Sequence, residues 1–257
     1  MQRENYLCPI VAKEELRDRL FSISVQCLPV AKAALAGQFL HIACGEAHLL
    51  RRPISICNVE GDTVRFVFEV RGEGTKWLSK QLKGASLDII GPLGNGFSGE
   101  AAGRILFIGG GIGMFPLYLA MKRANGEKDG VFGFQTKNAV VMEGALQTVL
   151  NKLVITTDDG SYGEAGFVTQ HAAALLEQKK YDKIISCGPQ AMLKAVAKLA
   201  ETYSVPCEIS LEERMGCGIG ACLVCACKIK KKTGESSYLH VCKDGPVFKS
   251  QEVDFDD

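Results

Sequence analysis

The sequence predicts a small antiparallel β-barrel, then a doubly wound parallel α/β sheet, then a short cysteine-rich domain. Three observations lead to this fold class. Short runs that alternate apolar and polar residues fill the first hundred positions, and strand-like and helix-like segments alternate from about Arg104 onward. Five of the eleven cysteines fall within residues 217–242. We place the domains at residues 1–99, 100–205 and 206–257.

The first domain is predicted from short strands separated by glycine and proline, a pattern typical of a small barrel. One helix interrupts the strands, with Thr75 as its expected N-cap and residues 76–82 as its body. A turn-rich stretch, residues 91–96, closes the domain. The predicted strands cover residues 21–27, 39–43, 64–70 and 87–90.

The second domain follows the βαβ rhythm, which implies a parallel sheet with helices on both faces. The predicted strands cover residues 105–108, 131–134, 153–157 and 183–187, and the predicted helices cover 114–123, 143–150, 168–179 and 190–202. The third domain, from about Pro206, is too short to bury a core of its own, so we expect it to depend on a bound cluster.

Composition excludes several classes of function. The net charge is +1 and 23% of residues are charged, which gives no basic surplus for nucleic acid. No apolar run is long enough to span a membrane, and the N-terminus lacks a signal-peptide pattern. Eleven cysteines in a chain of this length indicate a reducing, cytoplasmic compartment. We expect the dispersed cysteines to be buried: Cys8, Cys27, Cys44, Cys57, Cys187 and Cys207.

The third domain carries the most specific motif. Cys217, Cys222, Cys225 and Cys242 form C-x4-C-x2-C…C, the plant-type spacing for a [2Fe–2S] cluster. The small residues between the first two cysteines allow a loop to wrap the cluster and to direct N–H groups at its sulfurs. Cys227 lies outside this frame, and we expect it in the core or beside the ligands. A zinc site is the alternative, although zinc sites more often begin with two close cysteine pairs.

Two turns at strand ends predict a dinucleotide site. Gly109, Gly110, Gly111 and Gly113 follow a buried strand and precede a helix, where a pyrophosphate can approach the backbone. Cys187, Gly188 and Pro189 follow another strand and should face the same crevice. Residues 157–163 offer hydroxyl and carboxylate groups to a ribose. Each turn could instead be purely architectural.

The barrel half offers a second anion site. Arg52, Pro53, Ile54 and Ser55 place a guanidinium and a hydroxyl on a proline-stiffened segment, suited to a phosphate or a flavin edge. Gly74 and Thr75 begin the short helix, whose positive dipole end suits a pyrophosphate. The alternatives are a solvated basic turn and an ordinary capped helix.

The order of these motifs resembles that of the ferredoxin-reductase-like flavoproteins over roughly the first 200 residues. With the cysteine segment after Glu212–Met215 included, the whole chain resembles the electron-transfer subunits of the NAD-dependent class of dihydroorotate dehydrogenase. The resemblance implies an antiparallel FAD-binding barrel, a parallel-sheet NAD domain and a small [2Fe–2S] domain.

The resemblance also implies roles for individual residues. Arg52–Ser55 would bind the flavin and its phosphates, and Gly74-Thr75 would cap the pyrophosphate. The two glycine-containing turns would frame NAD, with Cys187 next to the nicotinamide as the catalytic candidate, and the four frame cysteines would ligate iron. Val67, Phe68 and Glu69 would line FAD, but Glu69 stands where the family often has a basic residue.

The implied partner is an FMN-containing catalytic subunit that oxidises dihydroorotate in pyrimidine (UMP) biosynthesis, in a heterotetramer of two of each subunit. Electrons would pass from that FMN to the cluster, then to FAD and NAD⁺. This chain should not oxidise dihydroorotate alone, and residues 133–137 lack an arginine for the 2′-phosphate of NADP, which favours NAD. The alternatives are a subunit of a sulfhydrogenase or of an NADH-dependent ferredoxin:NADP oxidoreductase, a non-catalytic zinc-binding interaction protein, and a thiol redox sensor.

Overall fold

A computed structural model describes residues 4–98, 103–230 and 236–255. Within these residues the N-terminal strands close an antiparallel barrel in the order β1-β2-β5-β4-β3-β6. Pairing of β1 with β6, from Asn5 opposite Ile90 to Pro9 opposite Ser86, completes the closure. The bounds are β1 Asn5–Arg17, β2 Leu20–Gln26, β3 Phe39–Ile42, β4 Arg52–Glu60, β5 Thr63–Glu69 and β6 Ser86–Leu93, with helices α1 Leu28–Ala33 and α2 Glu73–Ser79.

Helix α2 begins earlier than the sequence predicts. Its N-cap is Gly72, and Thr75 is the third helical residue. The Thr75 hydroxyl accepts hydrogen bonds from the backbone N–H groups of Arg71 (2.9 Å) and Gly72 (3.1 Å). The expected N-cap role of Thr75 is therefore wrong. In a capping box the side chain at the third helical position accepts a hydrogen bond from the N–H of the N-cap residue, and Thr75 does this for Gly72.

The second half forms the predicted parallel sheet, in the order β10-β9-β8-β7-β11-β12-β15. Its central strands β7, β8 and β11 are buried on both faces, as helices on each side require. The bounds are β7 Arg104–Gly110, β8 Glu127–Phe134, β9 Lys152–Thr157, β10 Glu164–Ala165, β11 Lys183–Cys187, β12 Cys207–Ser210, β13 Ala226–Lys230, β14 Ser236–His240 and β15 Val247–Lys249, with helices α3 Met114–Arg123, α4 Glu143–Val149, α5 Val168–Gln178 and α6 Gln190–Thr202.

The sheet extends beyond residue 205, where the sequence places the start of the third domain. Strand β12 pairs parallel with β11, and β15 adds an antiparallel edge to β12. The predicted boundary between residues 99 and 100 lies outside the described residues. All six dispersed cysteines are buried, as expected. No helix of the described chain is long and apolar enough to cross a bilayer.

The C-terminal segment packs against the outer face of the barrel. Strand β3 directs Leu40 and Ile42 into the barrel core, so the alternate residues Phe39 and His41 face outward. Phe39 belongs to the same buried cluster as Cys225 and Cys242. The loop that precedes hairpin β13–β14 therefore covers a barrel strand, which brings the cysteine frame next to the predicted flavin domain.

Candidate redox-cofactor sites

The loop of residues 217–225, called the cysteine loop below, directs backbone N–H groups at sulfur. Cys217 Sγ accepts from the N–H groups of Ile219 (3.5 Å), Ala221 (3.3 Å) and Cys222 (3.4 Å), and Cys242 Sγ accepts from Gly220 (3.1 Å). This convergence requires φ of +81° at Gly220, a conformation that glycine adopts without strain. The loop is thus shaped to stabilise negative charge on sulfur.

The four frame cysteines form two pairs. The Cys217 and Cys222 thiols lie within hydrogen-bonding reach of each other, and so do those of Cys225 and Cys242. Burial opposes ionisation of Cys217, but the N–H groups of the loop outweigh it and lower its pKa to about 6. Burial, together with the neighbouring Cys225 thiol, raises the pKa of Cys242 to about 12. Of these two thiols, Cys217 therefore ionises more readily than Cys242.

This donor set fits a [2Fe–2S] cluster, in which two thiolates bind each iron. Gly220, which lies between Cys217 and Cys222, donates its N–H to Cys242 Sγ and so links the two cysteine pairs. Among the described residues, no three His, Cys, Asp or Glu side chains converge on one point for a single ion. Cys227 is buried in the neighbouring core, and burial raises its pKa to about 11.

The two predicted turns of the α/β half meet at one cavity of about 700 Å³, called the dinucleotide cavity below after its predicted ligand. The turn after β7 contributes Gly110–Gly113, and the turn after β11 contributes Gly188 and Pro189. Both lie at the carboxyl ends of parallel strands, where open α/β sheets bind ligands. The volume is within the range of small-molecule sites, and most of the lining is apolar.

Close packing explains why glycine occupies these turns. A Cβ on Gly113 would collide with the carbonyl oxygen of Cys187, and one on Gly110 would lie 2.7 Å from Met192 Sδ. Gly109 lies within the sheet, where a Cβ would meet the Phe132 ring at 2.6 Å. The first two glycines therefore bring the turns together, whereas Gly109 serves the packing of the sheet.

Cys187 lies beneath the cavity rather than in its lining. Its side chain is 1% exposed within the core of the sheet. Burial raises its pKa well above the usual value, and the nearby Glu212 carboxylate adds to this shift, so the group is a neutral thiol. Any influence on a nicotinamide would therefore act through the position of the Gly188-Pro189 turn above it.

In the barrel half, the structure brings Arg52 and Gly74 together. The Arg52 guanidinium lies against Gly74 so closely that a Cβ there would collide with Nε. The same guanidinium donates to the carbonyl oxygen of Leu50. Ile54 and Ser55 follow on β4, opposite Leu40 and Phe39 of β3. A guanidinium beside a glycine at a helix start suits a pyrophosphate, because charge and close backbone approach coincide there.

Glu69 occupies a cationic setting. It forms ion pairs with Arg17 (2.9 Å) and Arg71 (3.1 Å), and all three residues line the dinucleotide cavity. Burial opposes ionisation, but the two arginines prevail and lower the pKa of Glu69. The positive charge expected at position 69 is thus supplied by its neighbours. Val67 and Phe68, expected beside it at the flavin, are buried in the cores, with Phe68 stacked at 6.0 Å on Phe21.

The loop at residues 157–163 contributes less than expected. The Thr157 hydroxyl donates to the carbonyl oxygen of Tyr162 at 2.8 Å, and Asp159 accepts from the Ser161 hydroxyl at 2.6 Å. Asp158, by contrast, lines the cavity. Lys137 Nζ lies 5.7 Å from the centre of the Tyr162 ring, in cation–π range. Asp158 is therefore the carboxylate of this loop that a ribose could meet.

Sequence reasoning missed four polar residues of these sites. Arg17, Arg71 and Glu212 line the dinucleotide cavity, although they lie far apart in the chain; the two arginines belong to no motif, and Glu212 was noted only in the run before the cysteines. The surrounding protein raises the pKa of Glu212, and Arg71 opposes that shift. His41, 2% exposed, faces the cysteine loop from β3, and burial among two arginines lowers its pKa to about 4. Its only sequence signal is a histidine within an apolar run.

The fold and the cysteine loop define an iron–sulfur flavoprotein of the ferredoxin-reductase-like class. A crystal structure of a ferredoxin NADP⁺ reductase from Neisseria gonorrhoeae with bound FAD and NADP superposes with a TM-score of 0.66 at 14% identity, covering 83% of this chain and 95% of that one. The profile of the iron-sulfur cluster binding domain of dihydroorotate dehydrogenase B matches residues 212–254.

Sequence similarity extends along nearly the whole chain. It is 43% identical over 262 residues to the dihydroorotate dehydrogenase B (NAD(+)) electron transfer subunit of Bacillus pumilus, covering 95% of this chain and 96% of that protein. The chain belongs to this family of electron transfer subunits. The structure of an NADH-dependent reduced ferredoxin-NADP oxidoreductase is also similar, with a TM-score of 0.87 and 32% identity, covering 98% of this chain and 91% of that one. The expected family and fold class are confirmed.

Proposed function

We propose that this chain accepts electrons from the FMN-containing catalytic subunit of dihydroorotate dehydrogenase and delivers them to NAD⁺. Its cofactors are a [2Fe–2S] cluster, FAD and NAD. The cluster supplies one-electron transfer, NAD accepts hydride, and FAD converts between the two. The observation that carries the proposal is the loop of residues 217–225, which covers the barrel and directs backbone N–H groups at the sulfurs of Cys217 and Cys242.

Each site residue then has a physical task. The frame cysteines hold iron, and the N–H groups of the loop stabilise the thiolates. Arg52 and Gly74 hold the pyrophosphate of FAD at the barrel. Gly110–Gly113 and Gly188-Pro189 would hold the dinucleotide, and the buried Cys187 supports the second of these turns from the core of the sheet. Close stacking of the two rings, rather than acid–base chemistry, controls hydride transfer.

A reconstituted complex tests this function. The chain purified with its FMN partner, as a complex of two of each subunit, should reduce NAD⁺ in the presence of dihydroorotate. The chain alone should oxidise NADH with artificial acceptors, since the FAD and NAD sites lie within it. Turnover of dihydroorotate by the isolated chain would contradict the assignment.

The ferredoxin-linked alternative remains the second candidate, because the similar NADH-dependent reduced ferredoxin-NADP oxidoreductase covers nearly the whole chain. The identity of the co-purifying protein distinguishes the two: an FMN protein that oxidises dihydroorotate supports the first, and a ferredoxin-linked partner supports the second.

We also infer a cytoplasmic location, which eleven free cysteines support.

A further inference from the structure

His41 is a buried polar side chain without a partner. It is 2% exposed, and neither ring nitrogen has a hydrogen-bond partner among the described residues. A neutral imidazole carries one N–H donor and one acceptor nitrogen. Buried polar groups are nearly always hydrogen-bonded, so an orphaned donor and acceptor call for an explanation such as a bound group. The residues next to the ring indicate which group that is.

The His41 ring lies next to the cysteine loop. His41 lies on the outward face of β3, opposite Pro53 of β4 and Ile90 of β6. A Cβ on Gly218 would lie 2.6 Å from Nδ1 and 2.9 Å from Cε1 of the ring. Gly218 follows Cys217 directly and has φ of +68°, which favours glycine. The nitrogen-bearing edge of His41 therefore lies against the backbone of the cysteine loop.

The nearby Arg51 is not a hydrogen-bond partner of the His41 ring. Arg51 donates to the backbone carbonyl of His41 at 3.3 Å and pairs with Asp88 at 2.9 Å, so its guanidinium is already engaged. The imidazole thus lies near Arg51 and Arg52 on the barrel side, with its Nδ1–Cε1 edge against the loop. A cluster held by that loop would supply the acceptor sulfurs that the described residues do not.

We propose that the His41 ring N–H donates a hydrogen bond to a sulfur of the [2Fe–2S] cluster and thereby makes the cluster easier to reduce. The inference rests on the proposed function, since it requires the cluster to be bound. Reduction adds negative charge to the sulfurs, so a donor stabilises the reduced state more than the oxidised state. His41 is then a tuning residue that links the flavin-binding barrel to the cluster.

Redox titration of the complete complex, followed by electron paramagnetic resonance, tests the proposal. His41→Leu removes the donor, and we expect its one-electron equilibrium constant for cluster reduction to fall about tenfold, equivalent to 59 mV. His41→Gln keeps an N–H and should show a smaller shift. His48→Leu is the matched control, in the loop seven residues on, and should match wild type. The flavin potentials should not change.

An unchanged cluster potential in His41→Leu, at full iron and sulfide content, would overturn the proposal, as would a shift confined to the flavin. If His41→Leu does not assemble, ¹⁵N-histidine labelling of wild type and His41→Gln decides. A ¹⁵N coupling to the reduced cluster that is lost in His41→Gln supports the proposal. Its absence in wild type, or its persistence in His41→Gln, overturns it. Wild-type protein without iron would instead refute the proposed function itself.

Discussion

The cysteine loop and the dinucleotide cavity obtain their geometry from very different distances along the chain. Three of the four frame cysteines lie within nine residues, and the N–H groups that approach Cys217 Sγ come from Ile219, Ala221 and Cys222. The cavity, in contrast, combines Arg17 of the barrel with Gly111 and Pro189 of the sheet. A site built from neighbouring residues can be recognised from their spacing in the sequence, whereas a site assembled from distant residues can be recognised only once the fold is known.

This contrast predicts how each site responds to substitution. Loss of a ligand such as Cys222, which belongs to none of the buried clusters, should remove the cofactor and leave the barrel and the parallel sheet folded. A change at the cavity should affect nucleotide binding and stability together, because its turns are packed into the sheet.

Cys222→Ser should abolish the cluster, because one iron loses a thiolate ligand. Iron and acid-labile sulfide should fall to background, and dihydroorotate-dependent NAD⁺ reduction by the complex should be lost. NADH oxidation with artificial acceptors should persist, since that route bypasses the cluster. Cys227→Ser is the matched control and should retain iron, because Cys227 is buried in the adjoining core. Iron retained in Cys222→Ser would contradict the frame.

Gly113→Ala should damage the cavity, because the new Cβ collides with the carbonyl oxygen of Cys187. We expect a loss of about 1–3 kcal/mol in the free energy of unfolding. A turn displaced by the collision should also raise KM for NADH about tenfold, equivalent to about 1.4 kcal/mol. Denaturant titration and steady-state kinetics measure the two effects. Gly144→Ala, where a Cβ in helix α4 meets open space, should leave KM unchanged and should not lower the free energy of unfolding.

Cys187→Ala should slow the reduction of the flavin by NADH about tenfold, because a void beneath the Gly188-Pro189 turn misplaces the nicotinamide. Stopped-flow absorbance measures this rate, and the flavin and iron contents should be unchanged. Cys207→Ala is the control: it is also a buried strand cysteine, but it lies on β12 opposite Ile184, at the other end of β11 from the Gly188-Pro189 turn. Equal rates in wild type and Cys187→Ala would show that Cys187 only fills the core.

Glu69→Gln should have the smallest effect. The arginines lower the folded-state pKa of Glu69, so its contribution to stability is present above its unfolded-state pKa of about 4.3 and is lost as pH falls through the folded value. At pH 7 we expect a loss of about 0.5 kcal/mol. The difference from wild type should vanish at sufficiently acidic pH. Urea titrations across this range measure it, with the exposed Glu73→Gln as control; a pH-independent difference would contradict the ion-pair account.

Local patterns predicted four of the six barrel strands and the main strands and helices of the parallel sheet, but β1, β4 and the second helix of the barrel half, α1, were not predicted. The alternation in β2 and β5 and the apolar runs of β7 and β11 appear in the sequence almost at their observed bounds. Strands β12 and β15 were missed because each is short and gains its place by pairing with a distant strand. The start of α2 was misplaced because Thr75 caps from the third position rather than the first.

The sites follow the same division. The cysteine frame and the glycine turns have fixed spacing, so the sequence shows them directly. Arg17 and Arg71 were missed because only the closed barrel brings them to Glu69 and the cavity. His41 was missed because a histidine in an apolar strand usually belongs to a core. Its lack of a hydrogen-bond partner becomes visible only when the cysteine loop covers β3.

The most direct test of the electron route is electron paramagnetic resonance of anaerobically purified wild-type chain and Cys222→Ser, each reduced with dithionite. The account predicts two irons and two sulfides per wild-type chain, bound FAD, and a spin-½ signal that Cys222→Ser lacks. A colourless wild-type protein without iron, or an identical signal in both proteins, would contradict it.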